Sequence, residues 1–189
     1  YEWSASPGIR NLHRNVIFKT ETVPELPTSY FEAPYAYVLW DKLEETCQQD
    51  QGCNVITIPH NSNISNGKMF LPYRPQKNAK KKDKLVQYAL RRAINEPLIE
   101  IFQHKGDSEC GPTSPDELCQ FEKMTYNNLV GDRYGGLLTG PPKKSDFVRE
   151  ALKEGLLYKE AIGVNPYQYG FIASSDTHIG APGAVDEDK

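Results

Sequence analysis

The sequence lacks the long apolar run that a membrane-spanning helix requires. In its 189 residues, no apolar stretch approaches the roughly 20 residues that cross a bilayer. It also lacks an excess of positive charge, because 22 Lys and Arg stand against 25 Asp and Glu, for a net charge of -3. Nucleic acids and anionic membranes usually attract clearly basic domains. We therefore predict neither a membrane span nor a nucleic-acid partner.

One local run of positive charge interrupts this balance, from Lys77 to Lys84. Its lysines have no aromatic residues among them, whereas surfaces that bind single-stranded nucleic acids combine cations with stacking rings. A solvated approach to the helix that follows explains the run better.

Cysteine is scarce, and the four cysteines fall into two local pairs, Cys47 with Cys53 and Cys110 with Cys119. Their spacing is not that of a zinc finger. Each pair spans a short, turn-rich segment that a disulfide could close, but four reduced thiols in a cytosolic protein fit the same spacing. If both pairs are disulfides, a periplasmic or secreted location is favoured.

Short apolar and β-branched runs alternate with stretches of helical periodicity along the chain. The runs predict strands over 1–4, 15–20, 54–58, 98–102 and 171–173. Helices are predicted over 34–52 and 85–94, and from an N-cap at Ser145 to near Gly155. This alternation predicts a parallel α/β sheet or barrel, in which functional groups collect at the C-terminal ends of the strands.

The last predicted strand is followed by Asp176 and His178. In an extended chain, side chains two residues apart point the same way, so this pair would present a carboxylate oxygen and an imidazole nitrogen together. A lone histidine near a strand is more often packed or capping than a ligand. His13 and His60 also lie beside strand runs, however, and Glu2 has a similar position. Such a set of imidazoles and carboxylates favours a zinc, manganese or iron site.

Other polar side chains near these positions suggest further roles. Glu2 could bridge two ions by giving one oxygen to each, although a salt-bridged strand end is the alternative. The loop with Asn61 and Asn63 could orient a polar substrate or an anion, but asparagine is also common in turns. Lys105, Asp107 and Glu109 form a charged cluster that could pair with a phosphate or a metal-bound water, or could be solvated loop residues.

A family resemblance is carried by motifs that occur in the same order over nearly the whole chain. They are Tyr1–Ser4 with Asn11–Asn15, then Ile58–Asn63, Lys105–Glu109 and Ser174–His178. Together they resemble the polymerase-and-histidinol-phosphatase (PHP) superfamily of metal-dependent hydrolases. More closely, they resemble a bacterial family within it that carries a domain-of-unknown-function label.

The resemblance implies a distorted (β/α)7 PHP-type barrel that hydrolyses phosphoesters. The superfamily opens with a His-x-His pair on its first strand, and this sequence has none. The chain is therefore expected to be a single catalytic-barrel fragment, residues 1–189, that forms the C-terminal majority of the domain without the N-terminal strand or strands. Two or three divalent ions, zinc, manganese or iron, are expected in the full-length protein.

The resemblance also implies roles for the candidate residues. Glu2 would bridge ions, His13 and His60 would bind the same ion, and Asp176 and His178 would serve different ions. Glu2, Asp176 and His178 are the predicted catalytic residues.

The predicted substrate is a small, phosphorylated molecule. Its predicted binding residues are Asn61, Asn63, Lys105 and Glu109. The predicted function is a metal-dependent hydrolase, specifically a phosphoesterase. Two alternatives stay open, a non-catalytic binding or structural module and a metal-dependent amide or deaminase-type hydrolase.

Overall fold

The computed structural model describes residues 1–8, 10–70, 81–111, 114–120 and 142–179. Residues 77–80 of the basic run lie outside these ranges. The described strands are β1 (Glu2–Trp3), β2 (Arg14–Phe18), β3 (Val55–Pro59), β4 (Leu98–Gln103), β5 (Gly106–Asp107) and β6 (Gly170–Ala173). The described α-helices are α1 (Ala36–Thr46), α2 (Lys81–Asn95) and α3 (Val148–Ile162).

The first sheet has the strand order β1-β2-β3, and both of its pairings are antiparallel. Arg14 lies opposite Pro59, so the beginning of β2 meets the end of β3. Along β2, Val16 is buried while Ile17 is half exposed, which is the alternation expected of a strand with one covered face.

The second sheet has the order β5-β4-β6. β4 and β5 form a short antiparallel hairpin, whereas β4 and β6 run parallel, with Leu98 opposite Gly170. Helix α3 lies in the chain between the parallel strands, as a crossover connection requires. β3 of the first sheet contacts β4 of the second.

The predicted parallel α/β sheet or (β/α)7 barrel is wrong for the described residues. They form two small three-stranded sheets and no closed barrel, and β4 with β6 is their parallel pair. A barrel requires a closed ring of strands. Alternation of strands and helices does not fix strand direction, because a connection can return the chain antiparallel, as the one through α1 does between β2 and β3.

Two apolar clusters lie at the sheets. The first joins the first sheet to α1 and consists of Trp3, Ala5, Val16, Ala33, Leu39 and Leu43. The second joins β4 to α3 and consists of Met69, Phe70, Ile99, Val148, Ala151, Tyr167 and Tyr169. Together they bury one side of the first sheet and part of β4.

A buried charged triad links the two clusters. Nε of Arg14 donates to Oε1 of Glu96 at 2.8 Å, and Nε of Arg92 forms an ion pair with Oε2 of Glu96 at 2.9 Å without the alignment of a hydrogen bond. Arg14 also lies over the Trp3 ring of the first cluster at 5.6 Å. Arg92 lies over the Tyr167 ring of the second cluster at 5.0 Å.

Both cysteine pairs are disulfides, which settles the alternative that the spacing left open. Cys47–Cys53 joins the end of α1 to the approach to β3, with a Cα–Cα distance of 5.0 Å. Cys110–Cys119 closes a loop beyond β5, with a Cα–Cα distance of 5.8 Å. No cysteine is free.

Helix α3 differs from its prediction at both ends. It begins at Val148 rather than after Ser145, because Lys144–Asp146 form a separate 3-10 turn. It also continues past Gly155 to Ile162 and ends before Gly163, whose φ of +82° suits glycine. A Cβ at position 155 would lie 2.2 Å from Oδ1 of Asn165. Gly155 therefore provides space for the loop that leads to β6.

No helix in the described ranges combines the length and the apolar character needed to cross a membrane.

We predict that Glu96→Ala lowers the free energy of unfolding by about 3–5 kcal/mol, because it leaves two buried guanidinium groups without their carboxylate. Urea unfolding followed by circular dichroism measures the change. Glu154→Ala, on the exposed side of α3, is the control and should change stability by less than about 0.5 kcal/mol. A loss below about 1 kcal/mol in Glu96→Ala would contradict a structural role for the triad.

We also predict that the double change Cys47→Ala with Cys53→Ala lowers the free energy of unfolding by about 2–3 kcal/mol, because the unfolded chain gains the entropy of an open loop. The same urea titration measures it. Addition of a reductant should then lower the stability of the double variant less than that of the unaltered protein. An equal response to reductant in both would show that this disulfide does not stabilise the fold.

Candidate functional site

The antiparallel pairing of β2 and β3 brings two histidines together. His13 immediately precedes β2, and His60 immediately follows β3. Because Arg14 pairs with Pro59, the two histidines lie side by side, and the backbone N–H of His60 donates to the carbonyl of His13 at 3.4 Å. Their rings meet edge to face, with centroids 5.7 Å apart. If β2 and β3 were parallel, the two histidines would lie at opposite ends of the strand pair.

Glu2 completes a three-residue group with these histidines. It lies on β1 opposite Asn15, and its Oε1 contacts Nδ1 of His13 and lies 3.3 Å from Nε2 of His60. One possible ligand atom from each residue lies within 4.8 Å of the other two. We call Glu2, His13 and His60 the ligand group.

The electrostatics of the ligand group keep Glu2 ionised. Hydrogen bonds from His13 and His60 hold the pKa of the Glu2 carboxyl well below its usual value, although partial burial opposes the shift. The Glu2 and His13 side chains are 27% and 21% exposed, whereas His60 is buried. The group is therefore anchored on one side and open to solvent on the other.

Asp176 and His178 approach the ligand group from the second sheet. β6 ends at Ala173, and Asp176 has a left-handed φ of +57°, so the predicted extended Asp-x-His pair is not extended. Nε2 of His178 nevertheless lies 3.9 Å from Oε2 of Glu2 and 4.0 Å from Oδ1 of Asp176. His178 is 66% exposed, and its Nδ1 contacts the Asp176 carbonyl at 2.7 Å. These two residues border the ligand group.

Lys105 reaches Asp176 because the parallel strands β4 and β6 end at the same edge of their sheet. Its ammonium forms an ion pair with Oδ2 of Asp176. Burial disfavours the Asp176 carboxylate, but the hydrogen bond and charge of Lys105, with smaller contributions from Gln103 and His178, together hold the pKa of Asp176 below its usual value. A cation and an anion therefore lie together beside the ligand group.

The two predicted substrate-binding asparagines are engaged within the protein. Oδ1 of Asn61 accepts from Gln103 at 2.6 Å, and its Nδ2 is buried without a partner among the described residues. Nδ2 of Asn63 donates to the Lys105 carbonyl at 3.1 Å, and its Oδ1 accepts from the Ser108 hydroxyl at 2.9 Å. Asn63 therefore fastens the loop after β3 to the hairpin after β4.

Glu109 lies apart from the ligand group. Its Oε1 accepts from Nε of Arg149 at 2.9 Å and from Nη2 at 2.6 Å. Asp107, Glu109 and Cys110 also cluster at metal-binding distances, but Cys110 is bonded to Cys119 and offers no thiolate. Without a thiolate from Cys110, this second cluster retains only the carboxylates of Asp107 and Glu109 and does not form a three-ligand site.

Sequence reasoning missed Glu100, a buried carboxylate on β4. Its Oε2 accepts from the Ser174 hydroxyl at 2.7 Å. Burial raises the pKa of Glu100, and the charges of His60 and Asp176 both act on it, which places it beside the site. The available signal was a carboxylate in the middle of the otherwise apolar run Leu98–Phe102. Carboxylates are rarely buried without a specific reason.

A comparison with protein families tests the family resemblance that the motifs suggested. The family model described as "Protein of unknown function (DUF3604)" matches residues 1–189, the whole chain. The chain belongs to the DUF3604 family. No curated protein and no solved structure matches it.

DUF3604 membership corrects the resemblance in part. The expected domain-of-unknown-function family is confirmed. The wider assignment to the PHP superfamily is wrong, because the match is to DUF3604 and gives that superfamily no support. Short motifs of His, Asp and Glu are shared by many metal-binding folds, so they do not identify one superfamily. For this DUF3604 chain, the argument for function comes from the ligand group.

We predict that His13→Ala and His60→Ala each weaken zinc binding by about 100-fold or more, because even residues behind a metal's ligands contribute 10–100-fold. Competition with a chromophoric chelator measures the dissociation constant. His104→Ala is the matched control, since that ring contacts the Ser175 carbonyl and is not in the ligand group. Equal zinc affinity in all three variants would rule out the ligand group as the zinc site.

Proposed function

We propose that this protein is a metal-dependent hydrolase that acts on phosphoesters. The observation that carries the proposal is the ligand group, in which an ionised carboxylate and two imidazoles lie within 4.8 Å of one another. A set of nitrogen and oxygen donors suits zinc, manganese or iron, whereas calcium would require oxygens alone.

The ligand group fits a catalytic metal site better than a structural one. Structural zinc sites are closed by four protein ligands, while catalytic sites have three and keep a position open. Here three side chains converge, and two of them are partly exposed. The exposed side is where a substrate would enter.

Glu2, His13 and His60 would hold the ion, and Asp176 and His178 lie where they could hold a further one. When bound, a divalent ion lowers the pKa of a water molecule and stabilises negative charge on a neighbouring oxygen. The chain itself supplies the ammonium of Lys105 next to Asp176. That positive charge supports an anionic substrate such as a phosphoester, because a phosphate oxygen could replace the carboxylate as its partner.

The second candidate is a non-catalytic binding module. It is favoured by the same ion pair, because Lys105 occupies Oδ2 of Asp176, one of the predicted ligands. Such a module would bind an ion or an anion without turnover. A metal-dependent amide or deaminase-type hydrolase would use similar ligands. Its activity on an amide rather than on a phosphoester would distinguish it from a phosphoesterase.

We infer an oxidising compartment, periplasmic or extracellular, as the place of action. Both disulfides support this, because thiols in the cytosol are normally kept reduced.

The test is hydrolysis of a panel that contains a phosphomonoester, a phosphodiester and an amide, assayed with zinc, manganese or ferrous iron. We expect metal-dependent turnover of a phosphoester. His60→Ala and Asp176→Ala should each lower kcat/KM by about 100-fold or more, since loss of a ligand costs at least what loss of an outer residue does. Bound metal is measured in parallel by elemental analysis.

Lys153→Ala is the control for the assay, because its exposed side chain pairs with Glu150 on α3. It should leave both rate and metal content unchanged. Metal binding without turnover of any substrate would favour the binding module. Turnover of the amide alone would favour the amide hydrolase, and undiminished rate and metal content in both site variants would refute the proposal.

A further inference from the structure

Two buried polar atoms next to the ligand group have no hydrogen-bond partner among the described residues. One is Nδ1 of His60, on the ring whose Nε2 faces Glu2. The other is Oε1 of Glu100. Buried polar groups are almost always paired, so each such atom requires an explanation.

The elements that carry these atoms are held against each other. His60 follows β3, Glu100 lies on β4, and the two strands are in contact. The bond between Nε2 of Gln103 and Oδ1 of Asn61, at 2.6 Å, joins the same two segments, one residue after His60 and three residues after Glu100. Because the Ser174 hydroxyl donates to Oε2 of Glu100 at 2.7 Å, Oε1 is the oxygen without a partner.

The two residues also interact electrostatically. Burial has the largest effect and raises the pKa of Glu100. The Ser174 hydrogen bond, the charge of His60 and a weaker interaction with Gln103 lower it, and the charge of Asp176 raises it. Further unpartnered atoms, Nδ2 of Asn61 and Oγ of Ser62, lie on the two residues after His60. Such a polar lining is what a buried bridging water requires, since it usually makes two to four hydrogen bonds.

We propose that Glu100 is a positioning residue for His60, whose Nδ1–H is linked to Oε1 of Glu100 through one buried water. Histidines that bind metals almost always donate their second ring N–H to a carboxylate, a carbonyl or a water, which fixes the tautomer and the ring orientation. Glu100 thereby presents Nε2 of His60, unprotonated, to an ion shared with Glu2. This role rests on the proposed metal site and assigns it a residue behind the ligands.

The test compares two substitutions at Glu100. Glu100→Met removes the acceptor at nearly constant volume, and it should weaken zinc binding by about 10–100-fold. Glu100→Gln keeps an acceptor oxygen and should restore most of the affinity. Glu154→Met, on the exposed side of α3, is the matched control and should bind zinc like the unaltered protein. Melting temperatures show that each variant is folded.

The second readout is the protonation of His60, from long-range 15N–1H correlation spectra. We expect Nδ1 to carry the proton in the zinc-loaded protein, where Nε2 faces the ion instead of donating to Glu2, and its signal to change in zinc-loaded Glu100→Met. This measurement on the unaltered protein does not depend on how well the variants fold.

Zinc affinity in Glu100→Met within twofold of the unaltered protein, or an unprotonated Nδ1 in the zinc-loaded unaltered protein, would overturn the role of Glu100. Failure of the proposed function gives a different result, in which zinc still binds in a Glu100-dependent way but no phosphoester is hydrolysed. A protein that binds no zinc at all would overturn both the metal site and the role of Glu100.

Discussion

The ion pair between Arg14 and Glu96 lies where the first sheet, helix α2 and the ligand group meet. Arg14 is the first residue of β2, and its neighbour His13 belongs to the ligand group. Because both charges are buried, their desolvation offsets much of their attraction, and their main contribution is to favour one arrangement over others. A shift of β2 by one residue would remove Arg14 from Glu96 and turn His13 away from His60.

The site is assembled from two sheets rather than from one edge of a single sheet. The first sheet supplies the ligand group, and the second supplies Asp176, His178 and Lys105. The two halves approach each other at Nε2 of His178 and Oε2 of Glu2, which lie 3.9 Å apart. Asn63 holds the halves in this relation, since it bonds to both Lys105 and Ser108 across 42 and 45 residues of chain. A buried amide thus positions charged groups that it does not touch.

Sequence reasoning predicted the order of the three helices and of five of the six described strands, because that order depends on local periodicity. It missed β5, whose two residues are too few to show a period. It also identified Glu2, His13 and His60 as candidates, and the structure brings these three together. The reason it gave was wrong, however, since it expected functional groups to collect at the C-terminal ends of parallel strands. The direction of β2 relative to β3 depends on how α1 packs, and no local pattern encodes that.

Other differences between the sequence-based predictions and the structure also have physical causes. Gly155 was taken as a helix end, but it lies inside α3, where the absence of a side chain leaves room for Asn165. Asp176 was expected in an extended chain, yet its backbone is left-handed, and its carboxylate pairs with Lys105, a partner 71 residues away that no local pattern indicates. Glu100 was read as part of an apolar strand, because its burial and its neighbours become visible only in three dimensions.

The disulfides have a consequence for the kind of metal chemistry that this chain can support. With every cysteine committed to a sulfur–sulfur bond, the ligand group contains nitrogen and oxygen donors alone. Thiolate ligands are lost when they oxidise, whereas imidazole and carboxylate are inert to the same oxidants. The conditions that form the Cys47–Cys53 bond at one end of β3 therefore leave His60, at its other end, chemically intact.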